Sequence, residues 1–330
     1  MKKTLSLLGG LLVLTALIFV SCKKDDEVTP TINKYFSVEN ASLIKKAMPE
    51  ATVDDEIEVV MNSKVIPGGS SIVSLYTERI AKKILVGMKD QAGYYEILPS
   101  ARGEYSFLMM INQDIDLGED ARGFTVLVAV EDENGDISKI WETSVELLVV
   151  GTGALQVSLS FDNAKDVDLH LIEPEYNDEY GDPVSFSDRH IYYSNKVAYY
   201  SGGELDLDSN PGCSIDNINN ENITYSSDNS FIAPGTYKVY VDLFENCVPE
   251  IATNYVVTVF YGGVLIASKA GVFEIGAEST YNPIDEDYVA NNLPFLTFSI
   301  ADKGQKSSKT YGRAPISESA MEKESYAVHK

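Results

Sequence analysis

Short segments of this chain alternate apolar and polar side chains with a period of two, and that pattern limits the fold more than any other feature. Ile57, Val59 and Met61 share one parity, and so do Phe124, Val126, Val128 and Val130. Leu155, Val157, Leu159 and Phe161 alternate with Gln156, Ser158 and Ser160. The same rhythm returns in Tyr237, Val239, Val241 and Leu243, and in Leu296, Phe298 and Ile300. Successive side chains of a strand point to opposite faces, so each set predicts a strand with one buried face. One-faced strands must cover that face with a second sheet, which predicts an all-β protein of sandwiches. No segment has a helical period apart from a helical turn expected at Ser42–Ala47.

Turn residues divide the strands. Asn134-Gly135 predicts a hairpin after Val130, Pro234-Gly235-Thr236 a turn, and Gly262-Gly263 a second hairpin between Tyr255–Tyr261 and Val264–Ala267. Tyr105–Ile111 is a more continuous apolar run and reads as a central strand. About seven strands are expected over residues 35–150, which suits an immunoglobulin-like sandwich. Gly151-Thr152-Gly153 is a natural boundary, and a second sandwich is expected over 154–300. The polar residues 301–330 read as a disordered tail.

The N-terminal residues carry an address. Lys2 and Lys3 precede the apolar stretch Leu5–Val20, which ends at Ser21-Cys22. This is the pattern of a signal peptide over 1–21, and the apolar run is shorter than the roughly 20 residues a membrane-spanning helix needs. The break resembles the bacterial lipobox, with Phe19 where leucine is usual. That resemblance implies cleavage before Cys22, a diacylglyceryl group on its sulfur and an acylated amine. Lys23 stands where aspartate would signal inner-membrane retention, so outer-membrane anchoring in a Gram-negative envelope is expected. Asp25, Asp26 and Glu27 resemble the export signal of surface-exposed lipoproteins; the other reading is that they solvate a tether over 22–34.

The formal net charge of the chain is −24; removing residues 1–21 leaves 309 residues and a charge of −26. Such a surface excludes nucleic acid, whose phosphates demand a basic partner, and argues against adsorption on anionic lipid. Divalent cations are its natural small partners. With Cys22 assigned to lipid, Cys213 and Cys247 remain in an oxidising compartment and are expected to pair.

The second domain holds three specific segments. They are Asp166-Val167-Asp168-Leu169-His170-Leu171, Gly202-Gly203-Glu204-Leu205-Asp206-Leu207-Asp208-Ser209-Asn210, and Glu221-Asn222-Ile223, followed by Ala233-Pro234-Gly235-Thr236-Tyr237. In order and spacing, about residues 154–275 resemble the YfaP-like domain, an envelope-associated family. The resemblance implies a β-sandwich of jelly-roll type and no defined activity. The chain departs from the family at residues 175–189, an insertion carrying Asp178, Glu179, Asp182 and Asp188.

Read without the family, Val167, Leu169 and Leu171 point inward, leaving Asp166, Asp168 and His170 together outside. The same parity puts Leu205 and Leu207 inside and Glu204, Asp206 and Asp208 outside. Neighbouring carboxylates on one strand repel unless a cation offsets them, and oxygen-rich clusters suit Ca²⁺, which takes six to eight such ligands. Asp166, Asp168, Asp206, Asp208 and Glu221 are the candidate ligands. The alternative is that they are solvent-facing residues or turn caps. His170 is expected to hydrogen-bond a neighbouring carboxylate, with His190 and His329 isolated in loop and tail.

Among function classes, the chain has no Gly-x-Ser-x-Gly elbow, no His-Glu-x-x-His and no phosphate loop. A glycosidase-like carboxylate pair has no sequence signature and stays open. The chain has 20 tyrosines, and in the adjacent pairs Tyr94-Tyr95, Tyr192-Tyr193 and Tyr199-Tyr200 one member is expected to face out. Tyr176, Tyr180 and Phe186 in the insertion are candidate contacts for a glycan or protein ligand. The expectation is a surface-exposed, non-enzymatic binding module supported by Ca²⁺. The alternatives are a structural spacer of an envelope assembly and a carboxylate-based hydrolase.

Overall fold

The computed structural model describes residues 28–99, 105–118, 121–226, 230–280 and 284–301. The expected signal peptide, Cys22 and the tail beyond Ala301 lie outside these residues. The described chain is nearly all β, as the period-two segments predict. Among the described residues, no helix is long and apolar enough to cross a membrane.

The first ten strands are β1 (Phe36–Val38), β2 (Ala41–Ile44), β3 (Glu58–Val60), β4 (Lys64–Val65), β5 (Ser70–Tyr76), β6 (Ala81–Met88), β7 (Tyr94–Ile97), β8 (Tyr105–Ile111), β9 (Gly123–Asp132) and β10 (Trp141–Leu147). They form a four-stranded sheet in the order β1-β8-β5-β3 and a six-stranded sheet in the order β2-β7-β6-β9-β10-β4. Alternate residues of both sheets meet in one core: Val73 and Leu75 from one, Ile84, Val86, Val126 and Val128 from the other. Three expectations change here. Ser42–Ala47 is not a helical turn, because Ala41–Ile44 pairs antiparallel with Tyr94–Ile97. Tyr94 and Tyr95 are both buried, since Tyr94 packs in a second small cluster with Leu85 and Ala129 on the other face of its sheet. Residues 28–34 are not tether: Ile32 is fully buried in the core, and the N–H groups of Thr31 and Ile32 donate to the Ala92 carbonyl.

The next nine strands are β11 (Leu155–Phe161), β12 (Asp166–Ile172), β13 (His190–Ile191), β14 (Gly203–Leu207), β15 (Asn220–Tyr225), β16 (Gly235–Glu245), β17 (Thr253–Tyr261), β18 (Val264–Phe273) and β19 (Leu296–Ile300), with short helices α1 (Phe186–Arg189) and α2 (Glu286–Asn291). Their sheets run β14-β15-β11-β17-β18 and β13-β12-β16-β19. Leu155, Val157, Leu159 and Phe161 fill the space between them against Val167, Leu169 and Leu171.

Polar residues on the outer face of β11 are buried too, for a different reason. The turn at Pro67-Gly68-Gly69 presses on that face: Gln156 donates to the Pro67 carbonyl at 2.7 Å and Thr258 to the Gly68 carbonyl at 2.8 Å. The Ser70 N–H donates to Ser160 Oγ at 3.1 Å. Gly68 has φ +73°, and a Cβ there would lie 2.3 Å from Gln156 Oε1, so only glycine permits this approach. The first domain therefore occupies one broad face of the second sandwich. The outer face of β12 and β16 lies on the opposite side.

Candidate metal centre

That opposite face carries an unusual density of acid. On β12, Asp166, Asp168 and His170 share the outer side, as their parity predicts. On β16, Asp242 stands in register with Asp168 and Tyr240 with His170. A surface of this kind is ordinarily open to water, yet Asp166, Asp168 and His170 are 1%, 3% and 1% exposed. Three pieces of chain cover them. Phe186 of α1 and Val289 of α2 pack on Ile172, Tyr240 and Ile284. The rings of His190 and Tyr192 stack at 4.1 Å, with Tyr192 also lying parallel to His170 at 5.2 Å. The turn at Pro211–Cys213 adds its backbone, the Gly212 N–H donating to Asp166 Oδ2 at 2.6 Å.

Two more carboxylates arrive from the other sheet. β12 is bonded to β16 along its length but to β13 only at Leu171 and Ile172, so its other edge is open near Leu169. Glu221 of β15 fills that opening, its Oε2 accepting the Leu169 N–H at 2.6 Å. Asp208 enters by a different device. The register of β14 against β15 slips between Leu205 and Leu207, which is a β-bulge. One extra residue reverses the parity, so Asp206 and Asp208 do not share a face. Asp208 turns toward Asp168 and Glu221, and ligand atoms of the three lie within 4.8 Å of one another. Two oxygens on opposite sides of a Ca²⁺ ion, each at about 2.4 Å, are separated by about that distance.

Asp206 is thereby corrected as a candidate ligand. It points to the domain-facing side, where it accepts from the Gly151 N–H and from Asn222 Nδ2, and it fastens the interdomain linker to the sandwich. Asn210, close by in sequence, has φ +59° and holds the loop by donating to the Lys165 carbonyl.

The electrostatics of the cluster are severe. Asp168 is pushed up to about 8 by burial first, then by Asp166, Asp242 and Asp208. Burial, with Asp208 and Glu245 adding to it, takes Asp166 to about 6, and burial takes Asp242 to about 7. Glu221 is raised well above the ordinary range by burial and then by Asp168 and Asp208. Lys196 is the cation at hand, its Nζ donating to Asp208 Oδ2 at 2.7 Å. Asp166 Oδ1, Asp208 Oδ1 and Glu221 Oε1 are each buried without a hydrogen-bond partner among the described residues. Buried polar atoms are nearly always satisfied, and several unsatisfied carboxylate oxygens in and beside one cluster describe a cation's ligand set better than a folded core.

Asp242 and Lys196 were missed in the sequence. Asp242 could have been found, because Tyr237, Val239, Val241 and Leu243 inward put Asp242 outward on the neighbouring strand. His190 is not isolated: its Nε2 lies 2.9 Å from His170 Nδ1, so His170 pairs with a histidine and not with a carboxylate. His329 lies outside the described residues.

The insertion at 175–189 is built. Asp178 accepts from the N–H groups of Tyr180 and Asp182, Asn177 bridges Pro183, and Ser185 caps α1 by accepting from the Asp188 N–H. Of its three candidate contacts, Tyr180 alone presents its ring, at 82% exposed. Tyr176 donates to the buried Glu173 and packs on Phe231, and Phe186 belongs to the cover described above. Tyr199, beyond the insertion, is 84% exposed and meets Tyr200 edge to face.

Cys213 and Cys247 are joined as a disulfide with Cα atoms 5.7 Å apart, tying the Pro211–Cys213 turn to the end of β16. No protein-family model matches the chain, and the comparison with curated proteins gives no match.

Proposed function

We propose that this chain is a lipid-anchored protein of the outer surface of a Gram-negative envelope, whose second sandwich is a Ca²⁺-supported, non-enzymatic binding module. The observation that carries the reading is the convergence of Asp168, Asp208 and Glu221, beside which Asp166 Oδ1, Asp208 Oδ1 and Glu221 Oε1 are buried with no hydrogen-bond partner among the described residues. Ca²⁺ suits this set because every donor is a hard oxygen. It would be held by the carboxylates and would fasten the edge of one sheet to the edge of the other. Burial favours a supporting ion over a catalytic one, since Asp168 and Glu221 are 3% and 1% exposed. Residues 154–275 are read as a YfaP-like domain on the order of their motifs, with a jelly-roll connection, and 35–150 as an immunoglobulin-like spacer.

Ligand contact is assigned to the edge formed by the insertion, with Tyr180 at its tip and Tyr199 and Tyr200 beside it. Aromatic rings with hydroxyls among carboxylates suit neutral sugars or a protein partner. The test is a glycan and envelope-protein binding screen on the mature protein. Replacing residues 176–188 by a short Gly-Ser turn is expected to weaken any interaction found at least tenfold; equal binding by the replaced form refutes the placement, and turnover of any glycan refutes the non-enzymatic reading. For the anchor, Cys22→Ala is expected to abolish palmitate incorporation and membrane retention. Unchanged labelling in that variant refutes lipidation at this position.

A further inference from the structure

The acid cluster holds more charge than one divalent ion neutralises, and its ligand atoms fall into two groups. Atoms of Asp168, His170 and Asp242 form a second group within 4.8 Å of one another, all three residues buried, and it shares Asp168 with the first. His170 Nδ1 is engaged with His190, which fixes the ring, while His170 Nε2 is buried with no hydrogen-bond partner among the described residues. If His170 donates through Nδ1, its Nε2 keeps a buried lone pair with no donor; if it accepts there, its Nε2–H has no acceptor. A metal ion resolves the first arrangement, and an engaged second nitrogen is the usual condition of a metal-bound imidazole.

Charge gives the number of ions. Asp166, Asp168, Asp208, Asp242 and Glu221 ionised, against the half-exposed Lys196, leave four negative charges in a largely buried site. One divalent ion neutralises half of that, and two neutralise all of it.

We infer that Asp168 bridges two divalent cations, Ca²⁺ among Asp166, Asp168, Asp208 and Glu221, and a first-row transition ion of the Zn²⁺ class held by Asp168, His170 and Asp242. The two sites differ in ligand chemistry. The first is all oxygen, whereas the second adds an imidazole nitrogen, which Ca²⁺ does not seek and Zn²⁺ does. The inference rests on the Ca²⁺ reading only through the shared Asp168.

The experiment strips the mature protein with chelator, reloads it with Ca²⁺ and Zn²⁺ together, removes excess and measures metal content per chain. One Ca²⁺ and one Zn²⁺ are expected. His170→Gln and Asp242→Asn should each lose the Zn²⁺ and keep the Ca²⁺, Glu221→Gln should lose the Ca²⁺, and Asp168→Asn should lose both. Co²⁺ in place of Zn²⁺ should give visible absorption bands that His170→Gln abolishes. Circular dichroism checks the fold of each variant, and wild-type stoichiometry with the Co²⁺ spectrum decides if one misfolds. Ca²⁺ without Zn²⁺ in the wild type, or Zn²⁺ unaffected by His170→Gln, overturns the second site and leaves the first standing. A protein that retains neither metal overturns both.

Discussion

Adding Ca²⁺ to chelator-treated mature protein is expected to raise the melting temperature of the second sandwich by about 10 °C at neutral pH. A ligand bound only by the folded state adds about 4 kcal/mol at a thousandfold excess over its Kd, and each kcal/mol moves a domain of this size by about 2–4 °C. Without metal, the same site makes stability fall as pH rises. The folded values of Asp166, Asp242 and Asp168, about 6, 7 and 8, all lie above the ordinary 3.8. A raised carboxyl holds its proton in the folded state after the unfolded chain has released it. Its stabilisation is complete below about pH 4 and is lost progressively up to about pH 8, with ~1.4 kcal/mol for every pH unit that separates the folded pKa from the unfolded one. Thermal melts in chelator from pH 5 to 9 should therefore decline, and Ca²⁺ should flatten that decline by taking the place of the protons. Asp168→Asn with Asp208→Asn should erase most of the Ca²⁺ response. Melts indifferent to chelator, Ca²⁺ and pH would return the aspartates to the role of an acid-rich wall.

Reducing the disulfide is expected to have an effect of similar size, and to reach the metal centre. Cys213–Cys247 closes a loop of about 35 residues, which the chain-entropy model values at about 3–4 kcal/mol. The bond also anchors the turn whose Gly212 N–H reaches Asp166. Cys213→Ser with Cys247→Ser should lower the melting temperature by about 10 °C and weaken Ca²⁺ binding several-fold. Peptide mapping under non-reducing conditions and Ca²⁺ titration of the paired variant are the measurements. Intact Ca²⁺ affinity in the variant would show that the turn keeps its place without the bond.

Much of this architecture was legible from side-chain parity. Leu155 to Phe161, Val167 to Leu171 and Tyr237 to Leu243 turn the faces that their alternation assigns, because a strand with a slipped register would expose its apolar set. Asp166 and Asp168 were legible for the same reason, whereas Glu221 was marked only by its nearness in sequence and enters from the inward-facing side of β15. Asp206 and Asp208 were not legible: parity is preserved only in an unbroken ladder, and the bulge after Leu205 inserts the residue that separates them. Burial of the outer face was equally hidden. It comes from Phe186, Tyr192 and Val289, residues far apart in the sequence whose shared use is created only when β12 and β16 pair. The pairing of His170 with His190 depends on the same closure, since β13 reaches β12 only through the insertion. Residues 28–34 looked like tether because a single apolar residue, Ile32, decides their fate.

Enclosure of a cation by the carboxylates of Asp168, Asp208 and Glu221 is the central claim. Crystals of the mature protein grown with millimolar Ca²⁺, measured for anomalous scattering, test it most directly. The expected result is an anomalous peak among those three side chains, with oxygen distances of about 2.3–2.6 Å. No peak there, with the three carboxylates hydrogen-bonded to one another through shared protons or to water, would contradict it.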